Sequence, residues 1–410
     1  MADLQVSPKV LYARTAVSAA FIMNGLIMGS FFSRTPAVRD ALGLSAAQLG
    51  LLLLCISVGA ISGLPLSGPV VQRFGPGRTV LCGALVAGVG LAIVGAGLLA
   101  GSIALTAPGL YLTGLGIASW DVAMNVEGAD VERHLGRSLM PRLHAGFSVG
   151  TVAGAGIGAA TASVDVPLAA QLLGLAVLVP LLMTAATRWF LGGVPAPEPA
   201  GEKAVRGFGA RDAWREPRTL LVGLMVLGFA FTEGSANDWM AVAMVDGYGT
   251  GATIGALGFG VFVTAMTVAR LVGGAALDRF GRVPVLRATA ALGLAGLLLV
   301  LLGGSPQVAM VGAVLWGFGA ALGFPVGMSA GADDPTRAAV RVSVVSSIGY
   351  TAFLAGPPLI GLLAQHVGIL RALFVVVGAL VLGLAASGAS RPLPVEPSRS
   401  PDPVHGQPGA

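Results

Sequence analysis

Twelve apolar runs, each long enough to cross a bilayer, decide what this chain can become. A helix crosses about 30 Å of hydrocarbon with about 20 residues. Runs of that size centre on residues 13–33, 46–70, 79–99, 105–127, 143–163 and 167–190, then on 219–243, 253–276, 285–303, 307–329, 344–364 and 367–388. The segment from Met1 to Arg14 is short and polar, and the run after it has full spanning length. A cleavable signal would instead show a shorter apolar region ending at small residues, so the first run is read as a retained helix. Charge is scarce: 43 of 410 residues are Lys, Arg, Asp or Glu, against about a quarter in a soluble domain. Such a chain cannot cover a water-facing surface of its size. The same numbers exclude disordered, collagenous and disulfide-framework classes. The net charge of +5 is not gathered into a basic groove, so no nucleic-acid partner is expected. Cys55 and Cys82 lie in apolar runs, where a thiol acts as a small hydrophobe.

The spans divide six and six around one long polar interruption. This organisation predicts an all-α membrane protein with an N-terminal six-helix bundle over 1–191, a solvated cytoplasmic linker over 192–218, a C-terminal six-helix bundle over 219–389 and a disordered tail over 390–410. Lys and Arg give the orientation. With the N-terminus in the cytoplasm, twenty of them fall on the cytoplasmic side, among them Lys203, Arg206, Arg137 and Arg399, and only Arg34, Arg39 and Arg371 fall on the other. That bias places both termini in the cytoplasm and implies a multi-pass protein of the cell inner membrane.

The halves repeat each other. Gly68-Pro-Val-Val-Gln72-Arg73-Phe74-Gly75 matches Gly274-Ala-Ala-Leu-Asp278-Arg279-Phe280-Gly281 at an offset of 206, and Gly114-Leu-Gly116 with Gly128-Ala129-Asp130 matches Gly317-Phe-Gly319 with Gly331-Ala332-Asp333 at 203. Parallel six-helix repeats are a transporter plan with the site near the midplane between them. The run Gly274-x-x-x-Asp278-Arg279-x-Gly281-Arg282 resembles the cytoplasmic loop signature of the major facilitator superfamily (MFS), with a weaker copy from Gly68 to Arg78. Arg34-Thr-Pro36, Leu42-Gly-Leu-Ser45, Asp121-Val-Ala-Met-Asn125 and Arg142-Leu-His144 resemble its MosC-like branch, which is associated with small polar, sugar-like compounds. The resemblance implies two pseudo-symmetric six-helix bundles. It also implies a cytoplasmic gate in which Gln72, Arg73, Asp278, Arg279 and Arg282 lock neighbouring helix ends, the first copy being weaker because Gln72 replaces an Asp.

Ionisable groups inside spans are costly and point to function. Asp121 on the fourth span, with Asn125 four residues on and on the same face, is a candidate carrier of a coupling proton. Glu233 on the seventh is the second candidate, with Asn237 one turn further and Asp238 near the outer end. Repeat alignment sets Asn24-Gly25 against Glu233-Gly234, and in the superfamily the first and seventh helices line the cavity, so Asn24 is expected to face Glu233 across it. Asn24, Asn125, Asn237, Asp238 and Arg34 are the expected substrate ligands, Arg34 gating the outer mouth with Asp40 as an exposed partner. Arg270 lies two turns before Asp278 on one face and is expected to pair with the loop lock, or else to take an anionic substrate. His144 opens the fifth span and is either a proton shuttle at the cytoplasmic mouth or a helix-end hydrogen-bonder. Gly59/Gly63 and Gly150/Gly154/Gly158 are small-xxx-small rows, expected between the bundles.

Enzyme motifs and metal-ligand clusters are absent, and no cofactor is expected. The sequence therefore points to a secondary transporter working by alternating access on a small polar solute, coupled to protons and acting as a monomer in the lipid bilayer. The alternatives are proton-driven efflux of hydrophobic compounds and a non-transporting ligand sensor.

Overall fold

The computed structural model describes residues 7–136, 139–193, 208–334 and 336–393. Among the described residues twelve helical spans are long and apolar enough to cross a membrane, and no strand is present. Helices are forced because every backbone polar group in hydrocarbon must be satisfied within its own segment.

The first six spans are α1 (Pro8–Phe32), α3 (Ala46–Phe74), α4 (Pro76–Leu99), α5 (Ile103–Leu135), α6 (Met140–Ser163) and α7 (Leu168–Ala186, extended by a 3-10 turn to Trp189), with the short α2 (Thr35–Leu42) between the first two. After α8 (Ala210–Ala213) come α9 (Pro217–Val242), α10 (Ala252–Phe280), α11 (Arg282–Leu302), α12 (Pro306–Ala320), α13 (Gly323–Gly331), α14 (Ala338–Val367), α15 (Ile369–Ala372) and α16 (Phe374–Ala386). Here α12 with α13 makes one broken span, and α15 with α16 another.

The duplication is written into the turns. Gly75 ends α3 at φ 81° and Gly281 ends α10 at φ 80°, a left-handed backbone that disfavours any residue with a Cβ. The Arg73 guanidinium sits 5.6 Å from the Phe74 ring, as Arg279 sits 5.2 Å from Phe280. The bundles meet along two related crossings, α3 on α14 and α6 on α10.

The glycine rows face elsewhere than expected. A Cβ on Gly25 or Gly29 of α1 would strike the Phe147 or Thr151 carbonyl of α6, and one on Gly150 or Gly154 would strike Ile22 or Leu26 in return. Gly59 of α3 and Gly114 of α5 interlock the same way. These rows therefore bind helices inside the first bundle, where backbone approach supplies the packing that lipid cannot drive. Between the bundles the close approach is made by Gly50 against the Pro357 carbonyl and Gly361 against that of Ala46.

Contact between bundles gathers at the end away from the termini. There α2 packs on α9 and α10, Phe32 lies 6.5 Å from Phe259, and Arg39 forms an ion pair with Asp246. At the terminal end a Cβ on Gly68 or Gly274 would meet nothing, and Gln72, Arg73, Asp278 and Arg279 are exposed.

The middle of the linker, with Lys203 and Arg206, lies outside the described residues, as do Arg137 and the tail from 394, with Arg399. The linker residues from Gly209 to Pro217 are mostly exposed, while a few side chains reach the second bundle. Phe208 lies 4.9 Å from the Arg337 guanidinium and 5.8 Å from that of Arg341, and α8 rests on α14.

Candidate functional site

The candidate site residues are polar side chains carried by spans of both bundles. On the first bundle, Asp121 of α5 is half-buried. Asn125 follows one turn later and donates to the Asp121 carbonyl oxygen at 2.8 Å, with Oδ1 of Asp121 at 3.5 Å. No cation pairs with Asp121 among the described residues. On the second bundle, Tyr350 of α14 is half-buried. Tyr350 is the centre of an aromatic row, 6.0 Å from Phe324 of α13 and 6.4 Å from Phe353 between ring centres.

On the second bundle, Arg270 of α10 holds Glu233 of α9. One terminal guanidinium nitrogen lies 2.9 Å from each carboxylate oxygen, and the side chains are only 32% and 16% exposed. The expected partner Asp278 is not used: it lies at the exposed end of α10, whereas Glu233 stands beside Arg270 on the neighbouring helix. Arg270 also donates through Nε to the Ala321 carbonyl at 3.2 Å. That carbonyl is free for a local reason. Residue 325, which would donate to it in an unbroken helix, is Pro325 and has no N–H. The span breaks at Ala321 and Leu322. His144 of α6 is exposed, makes no side-chain hydrogen bond with a described residue and stands edge-on to Phe21 at 5.3 Å between ring centres.

Other sequence-singled residues go to different places. Asn24 is buried and donates to the Ile117 carbonyl at 3.3 Å. It ties α1 to α5 inside the first bundle. Arg34 is buried and donates to Thr161 at 2.9 Å, to Gln171 at 3.3 Å and to the Val166 carbonyl at 3.1 Å. Asp40 is taken by Arg39 at 2.7 Å and is not a partner of Arg34. Asn237 is half-buried and Asp238 buried, and neither side chain bonds to a described residue.

The loop residues do not form a lock between bundles in this conformation. Asp278 has no ion pair among the described residues. Arg282 pairs with Asp333 at 2.7 Å and with Ser329 at 2.9 Å, and Arg218 takes the other Asp333 oxygen at 2.7 Å. All of these lie in the second bundle.

Tyr350 and the Ala321–Pro325 break were not read from the sequence. Pro325 inside an apolar run was the available signal for the break; Tyr350 had none beyond being one of four tyrosines. No three His, Cys, Asp or Glu side chains among the described residues are placed to hold a metal ion. The side chains offered are an unpaired carboxylate, an amide and an aromatic row, which can hydrogen-bond and stack a polar ring, and a partly buried ion pair.

The comparisons with known proteins bear on the fold and the family. The family model described as Major Facilitator Superfamily matches residues 17–333 and 229–408. An uncharacterised transporter, y4wD, from Sinorhizobium fredii is 34% identical over 90% of this chain and 96% of its own. The membrane protein MosC from Rhizobium meliloti is 27% identical over 94% of this chain and 92% of its own. A crystal structure of a variant of the nucleoside transporter NupG superposes with a TM-score of 0.76, covering 93% of this chain and 99% of that one at 13% identity. Sequence and fold thus agree along both halves, and the chain belongs to the Major Facilitator Superfamily of membrane transporters.

Proposed function

We propose that this transporter moves a small polar, sugar-like solute across the cell inner membrane by alternating access, coupled to protons and working as a monomer. The observation that carries the reading is the set of polar side chains that spans of both bundles carry, Asp121 with Asn125 on α5 and the Glu233–Arg270 pair between α9 and α10. Polar groups at that depth are expensive unless they face a cavity. Asp121 and Glu233 are assigned the protons. Asn125, Tyr350 and the flanking phenylalanines are assigned the solute, with Asn237 and Asp238 nearer the closed end. The positive-inside bias puts both termini in the cytoplasm, which makes this conformation the one open to the cytoplasm. A loop lock at Asp278 and Arg279 belongs to the opposite state, in keeping with its absence. The likeness in fold to the nucleoside transporter NupG supports a polar solute.

Proteoliposome uptake under an imposed pH gradient is the test, with labelled monosaccharides, cyclitols and nucleosides as probes. The expected result is gradient-driven accumulation of one probe class that falls about tenfold in Asp121→Asn and in Glu233→Gln, the loss of about one charge-assisted contact. Uptake indifferent to the gradient overturns the coupling.

A second reading, export of hydrophobic compounds, is favoured by an apolar groove of about 400 Å³ between α6 and α10, lined by Val152, Ala155, Leu257, Val261 and Phe318. A broad resistance profile on expression, lost when Ala155 is enlarged to Phe, would select it.

A further inference from the structure

We infer that the terminal end of the first bundle carries a docking site for the headgroup of an anionic phospholipid, at the corner where α1, α4 and the 3-10 turn after α7 meet.

Three elements make the corner. The turn Thr187–Trp189 packs on both α1 and α4. A Cβ on Gly77 of α4 would lie 3.5 Å from the Thr187 carbonyl oxygen and 3.6 Å from the Phe190 Cβ, so the backbones that carry Arg78 and Arg188 are close neighbours. On the α1 side the Tyr12 and Trp189 rings lie 4.8 Å apart between centres. Lys9 stands one turn before Tyr12 on the same face of α1. Lys9, Arg78 and Arg188 are thereby gathered around one aromatic pair, and all three are exposed.

Their charge has no carboxylate to meet among the described residues. No Asp or Glu occurs anywhere on α1, α4, α7 or the turn. The acids at this end of the bundle lie on α5, and each is engaged. Glu127 accepts from the Leu191 and Gly192 amides, Asp130 pairs with Arg133 at 2.9 Å, and Glu132 accepts from the Leu139 and Met140 amides. The second bundle neutralises the matching helix starts internally. At the offset of 203, Asp130 corresponds to Asp333. Asp333 takes Arg218 at the start of α9 and Arg282 at the start of α11, each at 2.7 Å. Asp130 is committed to its own helix instead, and the starts of α1 and α4 keep their cations.

The surroundings select a lipid over a dissolved anion. Tyr12 and Trp189 are both more than half exposed, an amphipathic pair of the kind that sits among headgroups. The phenol and indole hydrogens bond to no described residue, and both can donate to a phosphate oxygen. Toward the bilayer centre α4 presents Leu85 and Val89, and α7 presents Leu178 and Leu182, all exposed. Each pair is one turn apart, which makes an apolar wall for acyl chains. A Lys or Arg near the membrane surface favours anionic lipid by about fivefold in affinity.

Quenching of Trp189 by brominated phospholipid tests the site, with the full chain in phosphatidylcholine nanodiscs and Trp189→Phe giving the background from the other tryptophans. Dibrominated phosphatidylglycerol should reach half-maximal quenching at a mole fraction at least about fivefold lower than dibrominated phosphatidylcholine. Arg188→Gln should raise the phosphatidylglycerol fraction needed by about fivefold, and Arg188→Lys should restore most of the preference. Lys9→Gln combined with Arg78→Gln should weaken it further. Arg287→Gln removes an exposed cation from the same end of the second bundle and should change nothing. Equal quenching by the two lipids overturns the proposal. It falls equally if Arg287→Gln acts as strongly as Arg188→Gln, since the effect is then the charge of the whole face. Displacement of phosphatidylglycerol by inorganic phosphate in millimolar excess would assign the corner to a dissolved anion and refute the lipid.

Discussion

Arg39 on α2 pairs with Asp246 just beyond α9, and among the described residues this is the one ion pair that joins the two bundles. It sits at the closed end, flanked by Asp40 on its own helix. Both side chains are partly exposed, so the pair is worth about 1 kcal/mol, which is about fivefold in a two-state balance. Asp246→Asn should shift the closed end toward open by that factor, read by spin-label distances between the outer ends of α3 and α14. High salt should mimic the substitution, and the exchange of Arg39→Asp with Asp246→Arg should restore the balance. An unchanged distance distribution in Asp246→Asn would show that packing alone closes this end.

The two kinds of glycine contact should respond oppositely to a side chain. Gly25→Val drives a branched Cβ into the Phe147 carbonyl inside the first bundle, and backbone cannot step aside. The cost should reach about 3 kcal/mol or more, seen as a large loss of thermal stability in detergent. Gly361→Val strikes the Ala46 carbonyl across the bundle boundary, where the bundles can separate instead. Stability should hold within about 1 kcal/mol, while the closed end opens.

The contrast shows what was legible in the sequence. Span number and the duplication are dictated by the bilayer and by the repeated Arg-Phe-Gly turns, so both could be read directly. Asp121 and Glu233 stood out because charge inside a span is rare. Depth along a helix can be counted at about 1.5 Å per residue, but the direction a side chain takes around the axis is set by neighbours far away in sequence. Asn24 spends its side-chain amide on the Ile117 carbonyl of α5, a bond that no count along α1 predicts. Arg270 was matched to Asp278 on its own helix because intrahelical spacing is all that one sequence shows; its partner Glu233 lies 37 residues away on α9. The glycine rows were recognised as packing surfaces without any sign of which helix each one meets.

Arg34 lies outside the spans and has no carboxylate partner among the described residues, and burial pushes its guanidinium below its ordinary value. Its hydrogen bonds carry the whole compensation. Gln171 accepts from Arg34 at 3.3 Å and from Thr161 at 2.5 Å, and donates to the Ser30 hydroxyl at 2.6 Å. Gln171→Leu removes one of the three acceptors of a buried cation and the partner of the Ser30 hydroxyl, and should cost about 1–3 kcal/mol. Adding Arg34→Met should recover part of that loss, because an apolar pair of similar volume leaves no charge uncompensated. If the double variant is less stable than the single one, Arg34 holds its helices by something other than this network.

At the terminal end, Glu216 and Arg341 fasten the linker to α14. Arg341 Nε lies 2.8 Å from one carboxylate oxygen and its terminal nitrogen 2.6 Å from the other, with Asp334 at 3.3 Å. Burial alone would raise the Glu216 carboxyl, but hydrogen bonds from Arg341 and Thr219 and the charges of Arg341 and Arg337 outweigh it and hold it below the usual carboxylate range. A depressed acid stabilises the folded state above its unfolded value, about 4.3 for Glu, and that contribution is lost as pH falls through the folded value. Thermal stability should therefore be flat from pH 7 to about 5 as far as this group is concerned, and should fall below about 4. Glu216→Gln should flatten the acid limb and cost about 1–3 kcal/mol at pH 7, because Arg341 is only 6% exposed and keeps Asp334 alone. Phe208→Leu removes a ring shared by Arg337 and Arg341, each contact worth about 0.5–1 kcal/mol, without touching the titration. It should lower stability by a similar amount at every pH, so the two variants separate the charge from the stacking in the same clasp.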